Sequence, residues 1–435
     1  MPTNRAFVSL PPFPTLLSIM KLAVFLSLAA LALSVFAAAG EATSTRSLIA
    51  EALQKNPEIR FYEAEIAAAQ GGRQAAGQLA NPELSTELGS MNVHGQGDGL
   101  VWRAEIAQAF DFPGRLSLRK AIADRDIALA GLGLAQFKAQ LANEVSARAG
   151  DVALLQRKQA AAHSVRERVG ALIEVLVQRD SGSISALLER RILEATLLNS
   201  DRTLTDATKQ LREASVTLGV LCGRSPDETL IIDSSAASFP ATPALQSLKQ
   251  QAANTNFDLQ QKRLQIARQG LKVDLTKSER WGNITFGPYM AGQHAGGTQV
   301  EGGLSFSIPL PLWNKNKGNI VAEQARSQQA EAMLTATLRD LERDLEISRA
   351  AYAAELEALS HWRPESEKQF SDAAAEADRH FRLGAVPATT YVEMQRGYLD
   401  AMDSLIESRR NAWKHLMEIE RLIGNPLPNN QTVTR

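Results

Sequence analysis

The sequence holds a single cysteine, Cys222, among 435 residues. One thiol cannot close an internal disulfide, and no CxxC pair suggests a metal or redox centre. Cys222 stands in Val220-Leu221-Cys222-Gly223, an expected helix end, and reads as a buried apolar residue without chemistry. Aromatic residues are scarce at 6%, while hydrophobic residues reach 44%, much of it Ala and Leu. Stretches rich in Ala, Leu, Gln, Glu and Arg favour long helices packed along their length. The net charge of −1 provides no bulk field that would call for nucleic acid. The sequence lacks a nucleophile elbow, a P-loop, a dinucleotide fingerprint and metal-ligand spacing, so it predicts no enzyme, no cofactor and no bound metal. His94, His163, His294, His361, His380 and His415 form no HxxH or HExxH pair.

After residue 40 no run of about 18 apolar residues occurs, so no transmembrane helix is expected. The chain is then either soluble outside the cytoplasm or seated in a membrane through β-strands. At the N-terminus, Met20-Lys21 precedes an apolar run over residues 22–36 and then Ala37-Ala38-Ala39-Gly40. This order predicts a secretory signal within residues 1–39, cut after Ala39. Pro11, Pro12 and Pro14 suit such a signal poorly, which points to a translation start at Met20. No cysteine follows the cut, so no lipid anchor is expected there.

The remaining chain reads as one unit written twice, over 40–223 and 244–424, with a linker at 224–243 and a tail at 425–435. Pro226, Pro240 and Pro243 mark the linker. Each unit is expected to open with an amphipathic helix, near 47–79 and 245–277. Within these helices Asn56-Pro57-Glu58-Ile59 corresponds to Asn256-Phe257-Asp258-Leu259. A pair of strands, a Pro-containing corner, a very long helix, a Gly-containing break and a returning helix follow in each.

The strands show period-two alternation, with one apolar and one polar face. Leu84, Thr86 and Leu88 alternate with Ser85 and Glu87. Leu100, Trp102, Ala104, Ile106, Phe110 and Phe112 alternate with Arg103, Glu105 and Asp111. Val300, Gly302, Leu304, Phe306 and Ile308 alternate with Gln299, Glu301, Ser305 and Ser307. A third segment, 281–290, is less regular. Residues 92–98 and 291–297, rich in Gly, Gln, Asn and His, are expected as exposed hairpin loops. Read strand by strand, a half-buried sheet of a soluble domain would look the same.

The helices carry near-heptad stripes: Leu134, Phe137, Leu141, Val145, Ala149, Val152 and Leu155, then Leu334, Leu338, Leu341, Leu345, Tyr352, Leu356 and Leu359. No proline interrupts 116–179 or 318–362, and the first helix alone could reach about 90 Å. Breaks are expected at Arg179-Asp180-Ser181-Gly182 and Arg382-Leu383-Gly384-Ala385-Val386-Pro387. The tips of two helical hairpins then lie at Gly182 and Gly384. Pro113 and Pro309 are expected at the strand-to-helix corners, since proline fixes φ and donates no ladder hydrogen bond.

Four strands cannot close a membrane barrel, which needs about eight. An open edge in lipid leaves backbone groups unsatisfied. If these strands sit in a membrane, chains must combine, and three would supply twelve strands above a tube of helical hairpins.

The duplicated layout resembles the TolC family of outer-membrane efflux proteins. Three stretches are similar to its heavy-metal efflux subgroup, the CzcC/CusC-like proteins: Ala107-Gln108-Ala109-Phe110-Asp111-Phe112-Pro113-Gly114-Arg115, Ser307-Ile308-Pro309-Leu310-Pro311-Leu312-Trp313-Asn314-Lys315-Asn316-Lys317-Gly318 and Phe381-Arg382-Leu383-Gly384-Ala385-Val386. The resemblance covers roughly 44–424. It implies a mostly α fold with a membrane β-barrel part, in which duplicated hairpins form an α-barrel and each chain gives four strands to a trimeric twelve-stranded barrel. It further implies a homotrimer in the outer membrane of a Gram-negative bacterium, its helices in the periplasm. The partners would be outer-membrane lipid, a periplasmic adaptor and an inner-membrane pump of the resistance-nodulation-division type. The chain departs from many relatives in lacking a lipidation cysteine.

The resemblance also implies a gate at the tips, closed by charged residues and carboxylate rings. The positions are Arg179, Asp180, Gly182 and Glu189 in the first half and Arg382, Gly384 and Glu393 in the second. A ring of Glu189 or Glu393 at a constriction would attract cations, whereas the plainer reading makes these solvated helix-surface charges. His94 and His294 fall in the two expected loops without an assigned role. Two other functions fit the same features: a channel of this fold for drugs or other small molecules, and a soluble periplasmic scaffold or adaptor.

Overall fold

The structure, a computed structural model, describes residues 43–95, 97–178, 184–228, 230–232, 239–294, 297–363 and 365–427. The expected signal segment, the end of the tail, and Arg179, Asp180 and Gly182 lie outside the described residues. The first repeat runs α1 (Thr45–Lys55), α2 (Glu58–Ala76), β1 (Glu83–Val93), β2 (Gly97–Phe110), α3 (Arg115–Gln178) and α4 (Ile184–Leu221). The second follows the same order: α5 (Leu245–Thr255), α6 (Phe257–Ser278), β3 (Ile284–His294), β4 (Thr298–Ser307), α7 (Lys317–Ser360), α8 (Ser366–Arg382) and α9 (Ala388–Ile423).

Three expectations need correction. The opening helix of each repeat is two helices, broken at an asparagine. Asn56 and Asn256 are extended, with ψ of 122° and 125°. Each gives its backbone N–H to the preceding helix, at Ala52 O and Ala252 O. The Asn56 Oδ1 then accepts from Glu58 N at 2.8 Å, and the Asn256 Oδ1 from Leu259 N at 2.8 Å. An asparagine that closes one helix and caps the next turns the chain without leaving donors unsatisfied. The second long helix is also divided, into α7 and α8, around a stretch whose sequence contains Pro364. Trp362 and Phe370 meet edge-to-face across that break, 6.1 Å apart. Finally, the strands are shifted toward the hairpin loops: β2 stops at Phe110 and β3 begins at Ile284, so Asp111, Phe112 and 281–283 lie outside the ladder. β1 extends to Val93 and β3 to His294, so most of the two expected loops is ladder.

The first long helix is continuous. No proline occurs between Pro113 and Pro226, and the 64 residues of α3 reach roughly 96 Å at the α-helical rise. Near the sheet α3 packs between α2 and α6. Further along it packs between α4 and α9.

The core forms separate clusters along this length. Leu48, Ala52 and Ile59 pack with Leu141, Val145, Val152, Leu218 and Cys222. In the second repeat Leu248, Ala252 and Leu259 pack with Leu341, Leu345, Tyr352, Leu416 and Ile419. The buried stripes are those of the near-heptad pattern, and the duplication is visible residue by residue. Linker residues join both clusters, Leu230 and Ile232 in the first and Phe239 against the second. Cys222 is fully buried, its thiol pushed up to about 11 by desolvation. A third cluster unites the hairpins: Val165, Val169 and Leu172 of α3, Leu193 of α4, Phe381 of α8, and Tyr391, Tyr398 and Met402 of α9.

Candidate functional site

The strands form one antiparallel sheet in the order β1-β2-β3-β4, so the repeats join through β2 and β3. β1 and β4 are its outer strands. Register places Leu84 opposite Ile106, Leu88 opposite Trp102, Phe110 opposite Ile284 and Phe286 opposite Phe306. These residues share one face with Leu100, Met290, Val300 and Leu304. Leu84, Leu88, Leu304 and Phe306 are each more than 65% exposed. An apolar face this continuous and uncovered marks an interaction surface for lipid or protein. Each strand has 10 to 14 residues, enough for the roughly 9–11 that cross a bilayer. Among the described residues, no helix is long and apolar enough to span one.

The opposite face is polar. Arg103 Nη2 donates to Glu105 at 2.9 Å, and its guanidinium lies 4.4 Å from the centre of the Tyr289 ring. Ser305 donates to Glu105 from β4 across the sheet. Glu83, Glu87 and Glu301 share this face by alternation, which gives it four carboxylates against one guanidinium.

At the helix side of the sheet, the chain turns four times between strand and helix. Pro113 and Gly114 occupy the middle of a turn closed by Arg115 N donating to Phe112 O at 3.1 Å. Gly114 has φ 88°, as a type II turn requires at this place. Phe112 stacks on Trp281 at 5.7 Å. Arg115, only 8% exposed, donates to Asn283 Oδ1 at 2.5 Å, to Ser278 O at 3.1 Å and to Trp281 O. Asp111 pairs with Arg119 and lies 3.8 Å from Arg115. The Phe-Asp-Phe-Pro-Gly-Arg phrase is thus a clamp that ties the first repeat onto the α6–β3 connection of the second. Pro309 lies between β4 and α7 and packs on Gly282, where an added Cβ would come within 1.8 Å of Pro309 Cγ.

At the far end, the α8–α9 tip closes with a Schellman motif. Gly384 has φ 76°, its N–H bonds Phe381 O, and Ala385 N–H bonds His380 O. Glu189, Arg382, Gly384 and Pro387 line one hollow of about 400 Å³ together with Leu172 and Phe381. The structure therefore brings the α4 carboxylate to the second tip. Arg382 Nε donates to Asp378 at 2.8 Å. Glu393 lies elsewhere, on the exposed side of α9. His94 sits at the β1–β2 turn, whereas His294 belongs to β3, with Nδ1 2.7 Å from Thr298 Oγ1.

Sequence reading missed a buried polar group where the hairpins meet. Tyr391 Oη, Gln395 Oε1 and Arg168 Nη1 are buried without a hydrogen-bond partner. Tyr391 stacks on Phe381 at 5.4 Å, and burial, reinforced by nearby Asp378, drives its phenol far up. Gln395 Nε2 donates to Ala374 O at 2.7 Å. The available signal was a polar residue within the α9 stripe Tyr391, Gln395, Tyr398, Met402. Among the described residues, no group of three or more His, Cys, Asp or Glu is placed to hold a metal ion.

Comparison with known proteins gives a match of residues 245–425 to the family model described as outer membrane efflux protein. No curated protein sequence matches the chain. Solved structures match it in fold. The Campylobacter jejuni CmeC outer membrane channel gives a TM-score of 0.69 at 10% identity, over 89% of this chain and 87% of that one. CusC gives 0.68 at 13% identity, over 88% and 92%. The outer membrane protein VceC of Vibrio cholerae gives 0.65 at 16% identity, over 88% and 97%. The described chain therefore has the fold of outer-membrane channel proteins, and its second repeat carries the outer membrane efflux protein signature.

Proposed function

We propose that the chain is one subunit of a homotrimeric outer-membrane duct for efflux. It catalyses no reaction. It works with a periplasmic adaptor and an inner-membrane pump of the resistance-nodulation-division type, which supply the energy and the selection. The two units, 40–223 and 244–424, follow a signal segment cleaved after Ala39. One observation carries this reading: a four-stranded sheet, apolar and uncovered on one face, with outer strands that meet no further strand among the described residues. Bare strand edges in lipid cost several kcal/mol per unsatisfied group, and three chains joined β4 to β1 remove every edge. The polar face then lines the pore.

The cargo in this reading is a heavy-metal cation. The carboxylate excess of the pore-side face supports it, because a ring of carboxylates favours cations in a pore. The sequence stretches similar to the CzcC/CusC-like proteins agree with it, while the fold is shared alike with CusC, CmeC and VceC. The gate lies at the tips, where Glu189, Arg382 and Gly384 share a hollow, Arg179, Asp180 and Gly182 precede Glu189 in sequence, and Glu393 follows Gly384 on α9. Membrane fractionation with chemical crosslinking tests the duct, and a three-chain product in the outer-membrane fraction is expected. Deletion of the gene tests the cargo: sensitivity to divalent metal salts without sensitivity to dyes is expected, and the reverse pattern would assign the duct to drugs.

A further inference from the structure

We propose that the β4–α7 connection, residues 309–317, is an interfacial anchor that docks on anionic phospholipid headgroups at the helix side of the membrane. This rests on the membrane placement of the sheet. The two strand-to-helix connections out of the sheet differ sharply. In the first repeat a single turn leads from β2 to α3, and its aromatic residue, Phe112, is stacked on Trp281. In the second repeat the connection is longer and carries Leu310 and Leu312 exposed and Trp313 almost bare, at 92% exposure.

The segment is nonetheless held in place. Pro309 packs on Gly282 at one end. At the other end Asn316 is left-handed with φ 59°, and its Nδ2 donates to Thr276 O at 2.9 Å. Asn314 Oδ1 accepts from Asn316 N at 3.0 Å. A backbone pinned at both ends presents large apolar side chains to a surface that must cover them. The apolar face of the sheet ends beside it in Phe110, Phe286 and Phe306, an aromatic band of the kind that marks membrane–water interfaces.

The charge pattern selects lipid over protein as the cover. Lys315 and Lys317 are exposed, and no Asp or Glu occurs from Ser307 through Ala322. Tryptophan beside lysine is suited to a layer that is apolar on one side and anionic on the other.

The test uses the mature full-length protein with vesicles of phosphatidylcholine, with and without phosphatidylglycerol. Lipids brominated near the headgroup end quench tryptophans at that depth. Trp313→Phe should remove part of the quenching that phosphatidylglycerol strengthens, while Trp102→Phe removes a part that does not depend on it. Lys315→Gln and Lys317→Gln should each weaken vesicle binding about fivefold, and only where phosphatidylglycerol is present. If Trp313→Phe leaves quenching unchanged while Trp102 remains quenched, the sheet is inserted and the anchor is wrong. Loss of trimer crosslinks in Trp313→Phe would show that a second copy covers the segment, which also overturns the anchor. If no tryptophan is quenched, both the anchor and the membrane duct fall.

Discussion

The two repeats share one design and stabilise it with different chemistry. Along the middle of the long helices, Leu48, Ala52, Asn56 and Ile59 recur as Leu248, Ala252, Asn256 and Leu259, buried in equivalent clusters. Beside them the repeats diverge. In the first, Glu51 is held by Arg224 at 2.6 Å and by Lys55 at 2.7 Å. In the second these positions are Gln251 and Thr255, and the kink is tied by hydrogen bonds instead. Thr255 Oγ1 donates to Ile423 O at 2.5 Å and Asn256 Nδ2 to Leu422 O at 2.7 Å. The second repeat also buries a lone carboxyl, Glu420, whose Oε1 accepts from Leu427 N at 2.9 Å. Apolar spacing sets the shared shape, while the polar ties at the kinks are free to differ as long as the capping groups there find partners.

The sharpest break of this symmetry is at the sheet junction. Gly282, two residues before β3, leaves no room for a Cβ beside Pro309, whereas Asn81, two residues before β1, already carries one. Gly282→Val should destabilise the subunit by about 3 kcal/mol through overpacking and abolish crosslinked trimers. Asn81→Val should stay within about 0.5 kcal/mol. Equal effects at the two positions would refute the asymmetry.

The kinks give the next largest contrast. Asn256→Ala removes a helix cap and leaves the Leu422 carbonyl without its side-chain donor, a loss of about 2 kcal/mol in denaturant unfolding. Asn56→Ala removes only a cap, at about 1 kcal/mol.

Acidity should separate the repeats by sign. Burial raises the Glu51 carboxyl, but hydrogen bonds from Arg224 and Lys55 outweigh it and hold the group below its usual 4.5. Its contribution is present above that value and is lost as pH falls through the lowered one. Burial pushes Glu420 the other way, although the Leu427 N–H opposes it. The fold there gains protons relative to the unfolded chain, so its stability falls as pH rises from 4.5 toward the raised value. Hydrogen exchange should therefore show α1 opening more readily in acid and the end of α9 less readily. Glu51→Gln should abolish the α1 response at a cost of about 1 kcal/mol near neutrality.

The smallest effects belong to the tips. Glu189 lies in the hollow with Arg382, whereas Glu393 faces outward. Glu189→Gln and Glu393→Gln should leave stability unchanged within about 0.5 kcal/mol. In planar bilayers each should raise leak conductance or weaken cation selectivity, and currents unchanged in both would remove these carboxylates from the gate.

Much of the fold was legible because its signals are local. Period-two alternation marked β1, β2 and β4, with β3 less regular, and the stripe from Leu141 to Leu155 is the buried seam of α3. The helix kinks were hidden because Asn56 and Asn256 sit inside otherwise unbroken helical periodicity, and only their capping bonds show the turn. The strand ends were hidden because Gly, Gln and Asn read as loop even where ladder bonds hold them. The clamp phrase from Phe110 to Arg115 stood out in the sequence, but its partners at 278–283 lie far along the chain. The same distance concealed the approach of Arg168 to Tyr391, which follows only once the hairpins pack.

The central claim is that one chain cannot seal its own sheet. Native mass spectrometry of the mature protein, extracted from membranes in detergent, tests it most directly. A particle of three chains is the expected result. A monomer that remains dissolved in buffer without detergent would contradict it.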